Sequence, residues 1–181
     1  MKKIGIALLL VTAAVAALLA GIVAGKRQAA PEAVVEAPAA ATAQLFATTL
    51  NDPAGRPQAL AQWRGKVLVV NFWAAWCPPC REEIPAFSRL QKEFGANSVQ
   101  FVGIALDSAQ SVNEFQQQTP VVYPLLIASP ATTELARQLG NPSLALPYTL
   151  VLDAAGKVRH TRLGGLQEAE LAALIKPLLS P

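Results

Sequence analysis

"GKVLVVNFWAAWCPPCREEIP", Gly65 to Pro85, is the stretch from which the rest of this chain is read. Its first half, Lys66 to Trp73, is a valine-rich and nearly continuous apolar run, which predicts a strand buried on both faces. After Cys80 the pattern changes. Ile84, Phe87, Leu90, Gln91 and Phe94 recur at three- and four-residue spacings, and Gly95 follows as a stop, so a helix is expected. "SVQFVGIAL", Ser98 to Leu106, reads as a second buried strand. Strand, helix and strand within about forty residues make a βαβ unit, with parallel strands and a right-handed crossover.

Cys77 and Cys80 are the only cysteines in the chain. Two thiolates at this spacing supply half of a tetrahedral zinc site, and a second Cys/His pair normally completes it. No further cysteine exists, and the single histidine, His160, falls on an expected surface strand far along the chain. A metal is therefore not expected, nor any other cofactor. A structural staple is a poor reading too, because closing so short a loop removes little entropy from the unfolded chain. What such a pair can do is open and close.

The placement of the pair suggests how. Cys77 ends the strand and stands at the N-cap of the expected helix, where free N–H groups and the positive end of the helix dipole favour thiolate over thiol. Cys80 lies one turn further in, screened by Cys77. Cys77 is thus the expected attacking sulfur and Cys80 the resolving one, in an exchange that runs through a mixed disulfide. Pro78 and Pro79 suit the first helical turn, where their missing N–H groups would be unpaired anyway. They also withdraw two donors from the Cys77 sulfur. A less stabilised thiolate makes a more reducing couple, nearer thioredoxin at about −270 mV than DsbA at about −120 mV.

Elsewhere, "LFATTLNDPAGRPQAL", Leu45 to Leu60, carries the turn residues of a hairpin. Ser111 to Glu114 has the pattern of a capping box opening a short helix. Ser129-Pro130 opens another helix that Gly140 closes, and "YTLVLDAAGKVRHTR" is a strand pair about Asp153 to Gly156. Gln167 to Leu179 is an expected terminal helix interrupted late by Pro177.

The 181-residue chain has room for one ordinary domain and an accessory segment. After Met1-Lys2-Lys3 the chain is uncharged to Gly25, close to the ~20 apolar residues that cross a bilayer. A cleaved signal peptide shares the basic start, but Lys26-Arg27 follows like a stop and no small-x-small site closes the run. Residues 1–27 are accordingly expected as an uncleaved single-pass anchor in the inner (cytoplasmic) membrane, with everything after them in the periplasm or otherwise outside the cytoplasm. Residues 28–44, Ala/Pro/Glu-rich, read as a tether, although alanine-rich sequence also forms short helices. The folded domain is expected over 45–181. Of fifteen Lys and Arg, four flank the apolar run, leaving eleven against twelve Asp and Glu, so the remainder is near neutral. No basic stripe supports nucleic-acid binding.

These residues resemble the thioredoxin superfamily, and within it the membrane-anchored TlpA/ResA-like thiol–disulfide oxidoreductases. The resemblance rests on Gly65 to Pro85, on "FVGIALD" (Phe101 to Asp107) and on "LPYTLVLDAAGKV" (Leu146 to Val158). It covers roughly residues 45–179 and implies an α/β thioredoxin fold: a central mixed sheet, helices on both faces, and an added hairpin before the first core strand. It implies that Pro147 is a cis-proline facing the disulfide, leaving the backbone of Leu146 free to pair with a substrate strand beside Cys77. The alternative is a trans-proline opening an edge strand. Pro85 matches the proline that kinks the active-site helix.

Glu83 stands where ResA-like members carry an active-site acid, which would raise the thiol pKa values and relay a proton for Cys80. The alternative is a solvated first-turn glutamate, the reading given to Glu82. Cytoplasmic thioredoxins bury an aspartate six residues before the first cysteine, whereas Asn71 stands there in this chain. Asn71 is expected as a buried amide with its hydrogen bonds satisfied. Trp76 is expected to form an apolar rim beside Cys77, and Trp73 and Trp63 to pack in the core.

The resemblance implies an enzyme that reduces disulfides in exported proteins and is recharged by a membrane thiol donor. Apocytochrome c is one such client, but relatives in cytochrome maturation carry an acid after the cis-proline, where this chain has Tyr148. The other reading is a non-catalytic module of the same fold that chaperones cytochrome precursors or copper, although no Met or His lies near the motif in sequence.

Overall fold

The computed structural model describes residues 39–179. The apolar stretch 1–27 and most of the expected tether lie outside the described residues.

The boundary expected at Leu45 is too late. A helix, α1 (Ala39–Ala47), begins within the supposed tether and buries Ala41, Thr42, Leu45 and Phe46. Phe46 sits against Gly156, where an added Cβ would lie 2.9 Å from the ring, and the Arg64 guanidinium covers the ring at 4.2 Å. Alanine's high helix propensity supplies the helix, and two large side chains dock it. The expected hairpin follows as β1 (Thr49–Asn51) and β2 (Pro57–Ala59). Its turn is organised by Asp52, whose carboxylate accepts the backbone N–H groups of Ala54 and Arg56 and the Nε–H of Arg56.

The valine-rich run forms β3 (Val67–Trp73), the middle strand of a five-stranded sheet. Helix α2 (Pro78–Phe94) carries the chain over to β4 (Val99–Ala105), which lies parallel to β3 with Val67 opposite Val99 and Trp73 opposite Ala105. Every residue of both strands is buried, as a continuous apolar run requires of central strands. After α3 (Ala109–Gln118), strand β5 (Leu125–Ile127) adds in parallel at the edge. Helix α4 (Pro130–Gln138), capped by Ser129, then leads to β6 (Tyr148–Leu152) and β7 (Val158–Leu163), which add antiparallel on the other side of β3. The strand order is β5-β4-β3-β6-β7, so the sheet is mixed. Helix α5 (Glu168–Ile175) closes the domain, followed by a tight turn at Lys176–Leu178 that contains Pro177.

Because successive strand residues point to opposite faces, β3 feeds two cores at once. Val67, Val69 and Trp73 share one with Ile84, Phe87 and Leu90 of α2, Phe115 of α3 and Leu171 of α5. Leu68, Val70 and Phe72 share the other with Leu135 and Ala136 of α4. Burying each large apolar side chain stabilises the fold by about 1.5–3 kcal/mol. Trp73 crowds β4 at Gly103, where a Cβ would stand 3.1 Å from its indole nitrogen.

One further expectation shifts, and one strand is new. The cap of α3 is Ser108 rather than Ser111: the Ser108 Oγ accepts the Ser111 N–H at 3.1 Å, and the helix begins directly after it, at Ala109. Ser111 is already inside the first turn, with its hydroxyl 2.8 Å from that of Ser108. Strand β5 is not anticipated at all. It has only three residues and follows Pro124, too short a run to show a period of its own.

Candidate active site

Strand β3 delivers the cysteine pair to the end of the sheet. Cys77 is the N-cap of α2 in extended backbone (φ −90°, ψ 109°), and Pro78 and Pro79 occupy the first turn. The sulfurs of Cys77 and Cys80 are joined at 2.08 Å, with their Cα atoms 5.3 Å apart. Cys77 keeps 3% of its surface and Cys80 none, while Pro78 and Pro79 are exposed. With both prolines lacking N–H groups, Cys80 supplies the first backbone donor of the helix. Pro85 lies further along, inside α2.

Glu83 lies on the next turn of α2. It is buried, whereas its neighbour Glu82 is exposed. Its Oε1 accepts from Asn71 Nδ2 at 2.8 Å, and its Oε2 accepts the Leu166 N–H at 2.9 Å. Burial pushes its pKa from 4.5 up to about 7, against the opposing pull of those two hydrogen bonds. A cleft of about 290 Å³ opens beside it, between α2 and the β7–α5 loop, with Pro79, Arg89 and Gly165 among its lining residues. Asn71 is buried as expected, and its Nδ2 also donates to Thr149 Oγ1 at 3.0 Å. Its Oδ1, however, is buried without a partner, so the expectation of a satisfied amide holds for only half of the group.

Trp76, directly before Cys77, is 69% exposed, and the preceding Ala75 donates its N–H to Asp107 Oδ2 at 3.0 Å. The Leu146–Pro147 bond is cis, with Pro147 buried and Leu146 half-buried against both cores, one of which holds the cysteines. The Pro147 carbonyl accepts the Gly164 N–H at 2.8 Å. Trp73 and Trp63 are buried in the core.

Residues 40–161 match the AhpC/TSA family. The chain belongs to that family. It is 29% identical over 127 residues to the thioredoxin-like protein YneN of Bacillus subtilis, covering 68% of this chain and 71% of that protein. Against the thiol-disulfide oxidoreductase ResA of Geobacillus thermodenitrificans it is 27% identical over 123 residues, covering 67% of this chain and 68% of that one. The crystal structure of a thiol:disulfide interchange protein of the thioredoxin family from Chlorobium tepidum superposes with a TM-score of 0.65 at 31% identity, over 74% of this chain and 93% of the other. This member of the family is a thiol–disulfide oxidoreductase with a thioredoxin-like fold.

The fold brings Trp76, Cys77, Pro78, Pro79, Cys80 and Glu83 together on one strand–helix junction. Three contributors have no role assigned from the sequence: Thr149 and Leu166, which meet Asn71 and Glu83 from distant segments, and Asp107, which holds Ala75. Among the described residues no group of three or more His, Cys, Asp or Glu could hold a metal ion.

Proposed function

We propose that the enzyme works as a reductant of polypeptide disulfides, with Cys77 attacking and Cys80 resolving. The observation that carries this reading is the pair of prolines at the head of α2. They withhold two N–H donors from the Cys77 thiolate, and the Glu83 carboxylate adds negative charge nearby. Both effects destabilise the thiolate and favour giving electrons away.

In the reaction the Cys77 thiolate attacks one sulfur of the client disulfide. A Cys77–client bond forms, the client S–S bond breaks, and the departing client thiolate takes a proton. Cys80, losing its proton to Glu83, then attacks the Cys77 sulfur. The Cys77–Cys80 bond forms, the Cys77–client bond breaks, and the second client sulfur leaves as a thiolate that takes the proton held by Glu83. The client has then gained two electrons and two protons, the first of the protons from solvent. A dithiol donor must return them.

The apolar run 4–25 supports an anchor that places this domain outside the cytoplasm, with exported proteins as clients and a membrane thiol donor as the source of electrons. Among the described residues no helix is long and apolar enough to cross a membrane. Equilibration of the purified protein against dithiothreitol or glutathione tests the direction of transfer. A potential near that of thioredoxin, about −270 mV, is expected, and one near DsbA, about −120 mV, would overturn the reductant reading.

A further inference from the structure

Between the end of α4 and the cis-proline the chain makes a loop, residues 139–147, that is tied from within. Asn141 is 2% exposed. Its Oδ1 accepts the Ala145 N–H at 3.1 Å, and its Nδ2 donates to the Ala145 carbonyl at 2.9 Å. One side chain thus occupies both main-chain polar groups of one residue. Inside this clamp the chain turns at Leu144, whose φ of 53° is the only left-handed value for a non-glycine among the described residues. A leucine persists in that region only where its surroundings over-determine it. The Leu144 N–H returns to the Asn141 carbonyl at 3.1 Å, and the Tyr148 hydroxyl donates to the Leu139 carbonyl at 2.8 Å, closing the base of the loop.

The clamp leaves a defined remainder. Both backbone polar groups of Ala145 are engaged by Asn141. Leu146, the next residue, has no hydrogen bond to its N–H or C=O among the described residues. It also packs against both cores, one of which holds the cysteines.

We propose that Asn141 is a positioning residue for the client strand: by clamping Ala145 it holds the loop so that the free backbone of Leu146, the pairing residue that the family resemblance implies, is presented in register. The inference rests on the reductase reading above. It separates two kinds of substrate, because a polypeptide disulfide needs strand pairing, whereas a small aromatic disulfide such as 5,5′-dithiobis(2-nitrobenzoate) reaches Cys77 without it.

The test compares the full-length wild-type chain with Asn141→Ala and Asn141→Asp, using insulin and the small aromatic disulfide as substrates. Asn141→Ala should raise KM for insulin roughly tenfold, while the rate constant for the small disulfide stays within about twofold. Asn141→Asp keeps the acceptor for the Ala145 N–H and should fall between the two. Amide exchange at Ala145, slow in wild type, should accelerate in Asn141→Ala without a change in the exchange of β3, which separates a loosened loop from a fold that fails. Equal losses on both substrates, or no loss on insulin with Ala145 exchanging fast, would overturn the inference alone. A wild-type chain that reduces neither substrate would overturn the reductase reading and this inference with it.

Discussion

The two faces of β3 divide the work of the molecule. Val70 and Phe72 point into an apolar core under α4, where they meet Leu135, Ala136 and Leu150. Asn71, one residue away on the other face, joins Thr149 and the buried Glu83 in a polar group at the level of the disulfide. Buried polar atoms without a partner occur on both sides of the sheet: Asn71 Oδ1, Trp73 Nε1 and Tyr123 OH on this one, and Thr42 Oγ1 in α1, whose Leu45 and Phe46 belong to the other core. Each such atom lowers stability. Both faces stabilise the domain, and the one that holds Asn71 also sets the proton affinity of Glu83.

The largest test of this division is Phe72→Ala, which removes a fully buried ring from the apolar face. It should destabilise the domain by about 3–5 kcal/mol in urea unfolding, while exchange activity per folded molecule stays within about twofold. A matching loss of activity would blur the division.

Glu83→Gln probes the polar face. Burial raises this carboxyl from 4.5 to about 7, so the folded chain binds its proton more tightly than the unfolded chain does. Its stabilising contribution is full below about pH 4.5 and is lost as the pH rises through 7, by roughly 3 kcal/mol in all. Urea unfolding between about pH 5 and pH 8 should therefore show wild-type stability falling relative to the variant. The variant should also lose the step near pH 7 in its exchange rate. An unchanged pH profile would remove Glu83 from the proton path.

Trp76→Ala is expected to have the smallest effect on stability, within about 0.5 kcal/mol, because the ring is largely exposed. Its reduction of insulin should nevertheless slow, since the exposed ring directly precedes Cys77 in the chain and is expected to rim the reactive sulfur. Unchanged insulin kinetics would exclude the ring from client contact.

The sequence is legible where its signal is local. Val67 to Trp73 and the spacing of Ile84, Phe87 and Leu90 are written in adjacent residues, and the structure places a strand and a helix there. The cis bond at Pro147 is expected from the resemblance alone, and it is present. What escapes depends on distant partners. The environment of Glu83 is built by Asn71 and Leu166, the latter eighty-three positions away. Helix α1 reads as tether because its alanines carry no pattern, and its docking depends on Gly156 and Arg64.

Limiting alkylation of the reduced protein by iodoacetamide, followed by peptide mass spectrometry, addresses the division of labour between the two sulfurs most directly. Cys77, the more accessible thiol at the helix N-cap, should be modified well before Cys80. Faster modification of Cys80 would contradict the account.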